Sequence, residues 1–127
     1  MQTLLLVAGG GAVGATARYL LGVQAMRTLG SAWPYGTFAA NVIGGFLMGV
    51  LAGVLALRGG ADQEKWRVLL GVGVLGGFTT FSAFSLEVAL MIERRAWGQA
   101  FAYSLMSVVL SVAALFAGLM LMRRWMA

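Results

Sequence analysis

The residues able to handle a polar or charged substrate are few, and they fall into three groups. Tyr103, Ser107 and Ser111 recur every four positions, which sets three hydroxyls in register on one face of a helix. Asn41 has an amide with two donor hydrogens, and Thr37 precedes it by one turn. The third group is the run from Gly76 to Glu87, Gly-Gly-Phe-Thr-Thr-Phe-Ser-Ala-Phe-Ser-Leu-Glu. Within it, Phe78, Phe81 and Phe84 are three residues apart and read as a stack along one helix face. The positive edge of an aromatic ring can face an anion where no water is available, and Ser82 and Ser85 flank these rings with hydroxyls. Such a set binds and passes a small anion; it does not make or break bonds. The chain has no histidine and no cysteine, so it lacks the commonest general base and the thiol nucleophile. Its four carboxylates are Asp62, Glu64, Glu87 and Glu93.

Each group also has a plainer reading. A serine in a membrane helix can bond back to its own carbonyls, an asparagine can join two helices, and aromatic residues at helical spacing commonly just pack. Three hydroxyls in register favour a polar track facing a pore or a partner helix. A small anion suits this inventory: the more compact and strongly hydrated it is, the more close donors its dehydration demands. A fixed lysine would hold it too tightly for conduction, which needs moderate, repeated binding.

The elements that must position these groups are membrane helices. Hydrophobic residues make up 61% of the 127 positions and charged residues 10%, well below the roughly one quarter of a soluble domain. Four apolar stretches of about 20 residues, the length that crosses a bilayer, run from about 3 to 21, 37 to 57, 68 to 92 and 99 to 122. Together they make residues 1–127 a single four-span domain, with Trp33-Pro34-Tyr35-Gly36 as an interfacial turn before the second span. No cleavable signal peptide is expected, because no Lys or Arg precedes the first apolar stretch. The net charge of +5 sits at the ends of the spans, which fits headgroup contacts and not a nucleic-acid patch.

With four spans both termini lie on one side. That side has Arg58, Lys65, Arg67, Arg123 and Arg124; the other has Arg18, Arg27, Arg94 and Arg95. Because the Lys/Arg bias sets orientation, this near balance points to insertion both ways up and pairing as an antiparallel dimer. A single orientation fixed by the first helix is the alternative. Gly10 with Gly14, and Gly45 with Gly49 and Gly53, place small residues on one face and predict close helix packing, within or between subunits. Arg18 either snorkels to the headgroups or lines a vestibule that attracts anions.

The third span is expected to break. Gly76-Gly77 followed by Thr79-Thr80 is a poor helix interior. The reading is one half-helix ending near Gly76 and a second starting near Thr80, with Thr79 or Thr80 as N-cap. The freed carbonyls then need a partner at mid-membrane depth, such as a cation. A continuous helix whose glycines admit a neighbour is the competing reading.

The sequence resembles the Fluc/CrcB family of fluoride channels over nearly its whole length. Gly76 to Glu87 looks like the family's GGxTTFSTFSxE signature, and the Gly-rich stretch ending at Arg18 and Gly36-Thr37-Phe38-Ala39-Ala40-Asn41 match as well. The resemblance implies an all-α membrane protein of the bacterial inner (cytoplasmic) membrane, a dual-topology antiparallel homodimer with two fluoride pores. It also implies a structural sodium ion where the two broken third helices cross, held by the carbonyls of Gly76 and Thr79 from each subunit. Phe81 and Phe84 would be the pore phenylalanines with Asn41 beside the ion, and Tyr103, Ser107 and Ser111 the polar track. Thr37 and Ser82 would also line the pore, and Arg18 would sit by the vestibule; the resemblance fixes no role for Glu87. Two positions depart from the pattern: Ala83 stands where the signature has Thr, and Leu115 stands where the track would continue.

Two other functions fit a small four-span protein. A small multidrug-type transporter is also a dual-topology dimer, but it needs a mid-membrane acid, and the first span has none. A structural membrane subunit would use the glycines and serines only to knit helices together.

Overall fold

The computed structural model describes residues 1–58, 60 and 63–126, with the backbone alone at 58 and 126. Asp62 lies outside the described residues. The chain is all helical. Helix α1 is Gln2–Leu29, α2 is Tyr35–Arg58, α3 is the helical run 63–78, α4 is Ser82–Glu93 and α5 is Trp97–Met126. Counting α3 with α4, four helical runs are long and apolar enough to cross a membrane, and the chain is a multi-pass membrane protein.

The first helix is longer than its apolar stretch predicts. Nothing breaks it before Gly30, whose φ of 84° ends it, so it has 28 residues and extends about 42 Å at 1.5 Å per residue. Arg18 therefore lies within the helix and not near its end. The third run has an unusual interior. Residues Gln63–Trp66 form an α turn, Arg67–Leu75 are π-helical, and Gly76–Phe78 close the run as α-helix. Helix α3 stops there: Thr79 is extended at φ −83° and ψ 158°, and α4 begins at Ser82. The interruption thus lies two residues later at each side than the propensities predict.

Two helix pairs are drawn together by glycine. On α1, a Cβ at Gly10 would stand 2.7 Å from the Leu69 carbonyl oxygen, and one at Gly14 would strike that of Val74. From the other side, a Cβ at Gly77 would stand 2.6 Å from the Gly11 oxygen. In the second pair, Gly45 faces the Ser111 carbonyl at 2.7 Å from the same construction, and Gly49 faces that of Leu115. Small residues on both faces are what let membrane helices approach backbone to backbone. The predicted glycine faces are used within one subunit, and the second of them fixes α5, with its hydroxyl stripe, against α2.

The turn from α4 to α5 is closed by a Schellman pair: Ala96 N–H donates to Met91 O at 2.8 Å and Arg95 N–H to Ile92 O at 2.9 Å. Arg95 takes the left-handed position with φ 62°. The Trp33-Pro34-Tyr35 turn is held by Gln99, whose Nε2 donates to Ala32 O at 3.0 Å. Trp33 is half-buried, its ring edge-on to Tyr103 at 5.3 Å, so it is a packing residue as much as an interfacial one.

Candidate functional site

The interruption between α3 and α4 is where the polar residues meet. Asn41 reaches it from α2 and pairs with the backbone of Thr80 in both directions. Its Nδ2 donates to Thr80 O at 3.0 Å, and its Oδ1 accepts the Thr80 N–H at 2.8 Å. A side-chain amide thus takes the place of a backbone partner at the residue where the helix is open, which removes the cost of leaving these groups unmade. The N-cap of α4 is Phe81, whose side chain makes no capping bond. Thr80, one residue earlier, accepts the Ala83 N–H at 3.2 Å through its hydroxyl, so neither threonine is the cap itself. Thr79 does not cap; its hydroxyl donates back to Leu75 O at 2.9 Å.

On the α3 side of the gap the chain ends with free carbonyls. Arg18 Nε donates to Gly77 O at 3.4 Å, a long bond that still sets a cation at the negative end of α3. Among the described residues no hydrogen bond reaches the carbonyl oxygens of Gly76 or Thr79. Two unbonded carbonyls flanking a helix break match the hard oxygen donors that a sodium ion takes. The residues implied as its ligands therefore fit it.

A cleft of about 420 Å³ opens beside the gap, lined by Asn41, Thr79, Thr80, Phe81, Phe84, Ser107, Ser111 and Leu115 among others. Both serine hydroxyls are buried, and among the described residues neither makes a hydrogen bond. They do not bond back to their own helix, as Thr16 does to Ala12 O at 2.7 Å; a buried hydroxyl left unpaired is costly and calls for an explanation. Leu115, where the track would continue, closes the row with an apolar side chain. Phe81 and Phe84 are in contact at 5.6 Å between centroids, and Phe81 is 77% exposed. Phe78 lies on α3, across the gap, and faces Gly44. The break thus divides the expected stack of three into a pair and a separate residue. Ser82 is exposed outside the cleft, 3.3 Å from the Thr80 hydroxyl.

Thr37 and Tyr103 form a layer of their own one turn away. The Thr37 hydroxyl donates to Glu87 Oε2 and the Tyr103 hydroxyl to Glu87 Oε1, both at 2.8 Å. Tyr103 has no exposed surface and is packed by Trp33, Phe38 and Phe84. Sequence reasoning left Glu87 without a role. The signal was present, because an ionisable residue inside an apolar helix must have a partner. Arg18 lines a separate cavity of about 460 Å³ together with Arg27 and Thr37.

The chain is similar to known proteins over nearly all of its length. The sequence model of a family described as "CrcB-like protein, Camphor Resistance (CrcB)" matches residues 5–119. A protein of Phenylobacterium zucineum (strain HLK1) named "Fluoride-specific ion channel FluC" is 80% identical over 124 residues, covering 98% of each chain. Its namesake in Caulobacter sp. (strain K31) is 72% identical over 98% of this chain and 97% of its own. In Rhodospirillum centenum (strain ATCC 51521 / SW) another of that name is 54% identical, over 97% of each.

Proposed function

The chain belongs to the CrcB-like family, and from that premise we propose that it is a fluoride channel and not an enzyme. Two antiparallel copies in the bacterial inner membrane would conduct the ion passively through two pores. The observation that carries this reading is the pair of buried, unpartnered hydroxyls of Ser107 and Ser111 facing the cleft of Asn41, Phe81 and Phe84. Those hydroxyls, the second hydrogen of the Asn41 amide and the edges of the two rings replace the water that fluoride sheds. The rate follows from binding that is spread over several weak donors and contains no fixed lysine.

Assembly follows from what one subunit leaves uncovered. The cleft and Phe81 lie open, and so does the gap with its free carbonyls. A second copy in the opposite orientation covers both. The Lys and Arg difference between the two sides is small enough to permit that orientation, five against three once Arg18 is placed within α1. The gap lies near the middle of a 31-residue run, which supports a mid-membrane position for it. Gly76 and Thr79 of each copy would hold a sodium ion there, supplying charge that offsets the ends of the broken helices. Asn41, by bonding Thr80, keeps the gap in shape; Arg18, in its own cavity, draws anions toward the entrance.

The test is passive fluoride efflux from sodium-containing liposomes holding the purified protein, read with a fluoride electrode and repeated for chloride. Rapid fluoride loss with chloride retained is expected, and Phe81→Ile or Asn41→Asp should suppress it. A folded dimer that passes no fluoride sinks the channel reading and leaves the drug-transporter and structural readings.

A further inference from the structure

Glu87 has no place in a path made of donors, yet it lies beside one. Among the described residues the ion pair is Glu64 with Arg67 on the exposed start of α3; the partners of Glu87 are instead two hydroxyls, Thr37 from α2 and Tyr103 from α5, each at 2.8 Å. The three residues repeat the layout of the cleft one turn along. Asn41, Phe84 and Ser107 line the cleft, and Thr37, Glu87 and Tyr103 lie at i−4, i+3 and i−4 from them on the same three helices. Thr37 and Glu87 also line a cavity of about 290 Å³ shared with the end of α1, the Trp33 turn and Arg94. The carboxylate therefore lines this second cavity and stands one turn along α4 from Phe84, which lines the cleft.

We propose that Glu87 sets how weakly the channel holds its ion. This inference rests on the fluoride-channel reading and names a residue that controls occupancy in the same path. A hydroxyl has one hydrogen, so while Thr37 and Tyr103 donate to Glu87 neither donates to an anion. The carboxylate also places a negative charge one turn from the donors of the cleft. Each donor of the cleft is weak, but several acting together in an apolar setting still slow the release that conduction requires, and a nearby negative charge opposes them. A unit charge acting over about 10 Å at an effective dielectric near 20 changes a binding constant by roughly tenfold. Glu87 thus acts as a positioning residue for two hydroxyls and as an electrostatic brake on binding.

The experiment is the fluoride-concentration dependence of efflux in the reconstituted dimer, with half-saturation and maximal rate read separately. Glu87→Gln keeps the size, loses the charge and frees a hydroxyl. Half-saturation is expected to fall about tenfold, with a lower maximal rate as release slows. Glu87→Asp keeps the charge and should return half-saturation to within about threefold of the parent on the same estimate. Arg94→Gln, at an exposed position, removes the opposing charge from the shared cavity and should raise half-saturation, which tests the same electrostatics without touching the buried cluster. If Glu87→Gln saturates where the parent does, or Glu87→Asp shifts as far as Glu87→Gln, or Arg94→Gln leaves half-saturation unchanged or lowers it, the proposal is overturned. A parent protein that passes no fluoride at all defeats the channel reading instead, so the two failures are distinguishable.

Discussion

Tyr103 and Ser107 stand one turn apart on the same face of α5 and are almost equally buried, at 0% and 5% exposure. Their hydroxyls are nonetheless in opposite states. That of Tyr103 is spent on Glu87, inside a wall of Trp33, Phe38 and Phe84. That of Ser107, like that of Ser111 one turn further, has no partner. The stripe read from the sequence as one polar track is thus two regions, a closed end that ties α2, α4 and α5 together and an open end that faces the cleft. The difference teaches that a row of like groups in register need not share a function. What decides is whether a neighbouring helix brings an acceptor within reach, and among the described residues α4 does so, through Glu87.

The comparison can be broken most forcefully at its closed end. Tyr103→Ala empties a site with no exposed surface and removes the ring that three aromatic side chains pack against. A loss of about 3–5 kcal/mol is expected, the range for deleting a buried aromatic side chain. Denaturant unfolding of the detergent-solubilised protein checks it, and a change below 1 kcal/mol on that scale would mean that this end is not the anchor described. Tyr103→Phe is the sharper variant. It keeps the ring and deletes one of the two bonds to Glu87, so the same unfolding measurement should give a loss of about 1–3 kcal/mol. A neutral result would show that the Glu87 carboxylate finds another partner, and the closed end would then owe its state to packing alone.

How much of this was legible in the sequence depends on what each feature needed. The four helical runs and the glycine seams follow from apolar length and residue size, both local properties. So does the interruption after Gly76-Gly77, because helix propensity disfavours glycine and β-branched residues together. What could not be read was partnership across helices. Asn41 bonds Thr80 and Thr37 bonds Glu87 at separations of 39 and 50 residues, and no periodicity links them. The three-membered stack of Phe78, Phe81 and Phe84 does not form for a related reason: helical spacing does not run through the gap that the glycines and threonines predict. Helix α1 outran its apolar window because a helix ends at a breaker, here Gly30, and not where hydropathy falls.

The open end gives the smallest expected change in stability and the clearest separation of fold from function. Ser107→Ala and Ser111→Ala delete hydroxyls that hold nothing together in the subunit. Removing a polar group that is already unpaired costs no hydrogen bond and relieves its desolvation, so each variant should unfold within about 0.5 kcal/mol of the parent, the spread of substitutions that touch no special feature. Fluoride efflux should fall all the same, because each variant takes a donor from the path, and Ser111→Ala leaves the cleft apolar from Val108 to Leu115 along that face. Loss of flux at unchanged stability is the outcome that the division of α5 predicts. Should a serine variant lose stability as Tyr103→Phe does, its hydroxyl has a partner in the assembled dimer, and the open end would belong to the interface between subunits and not to the path of the ion.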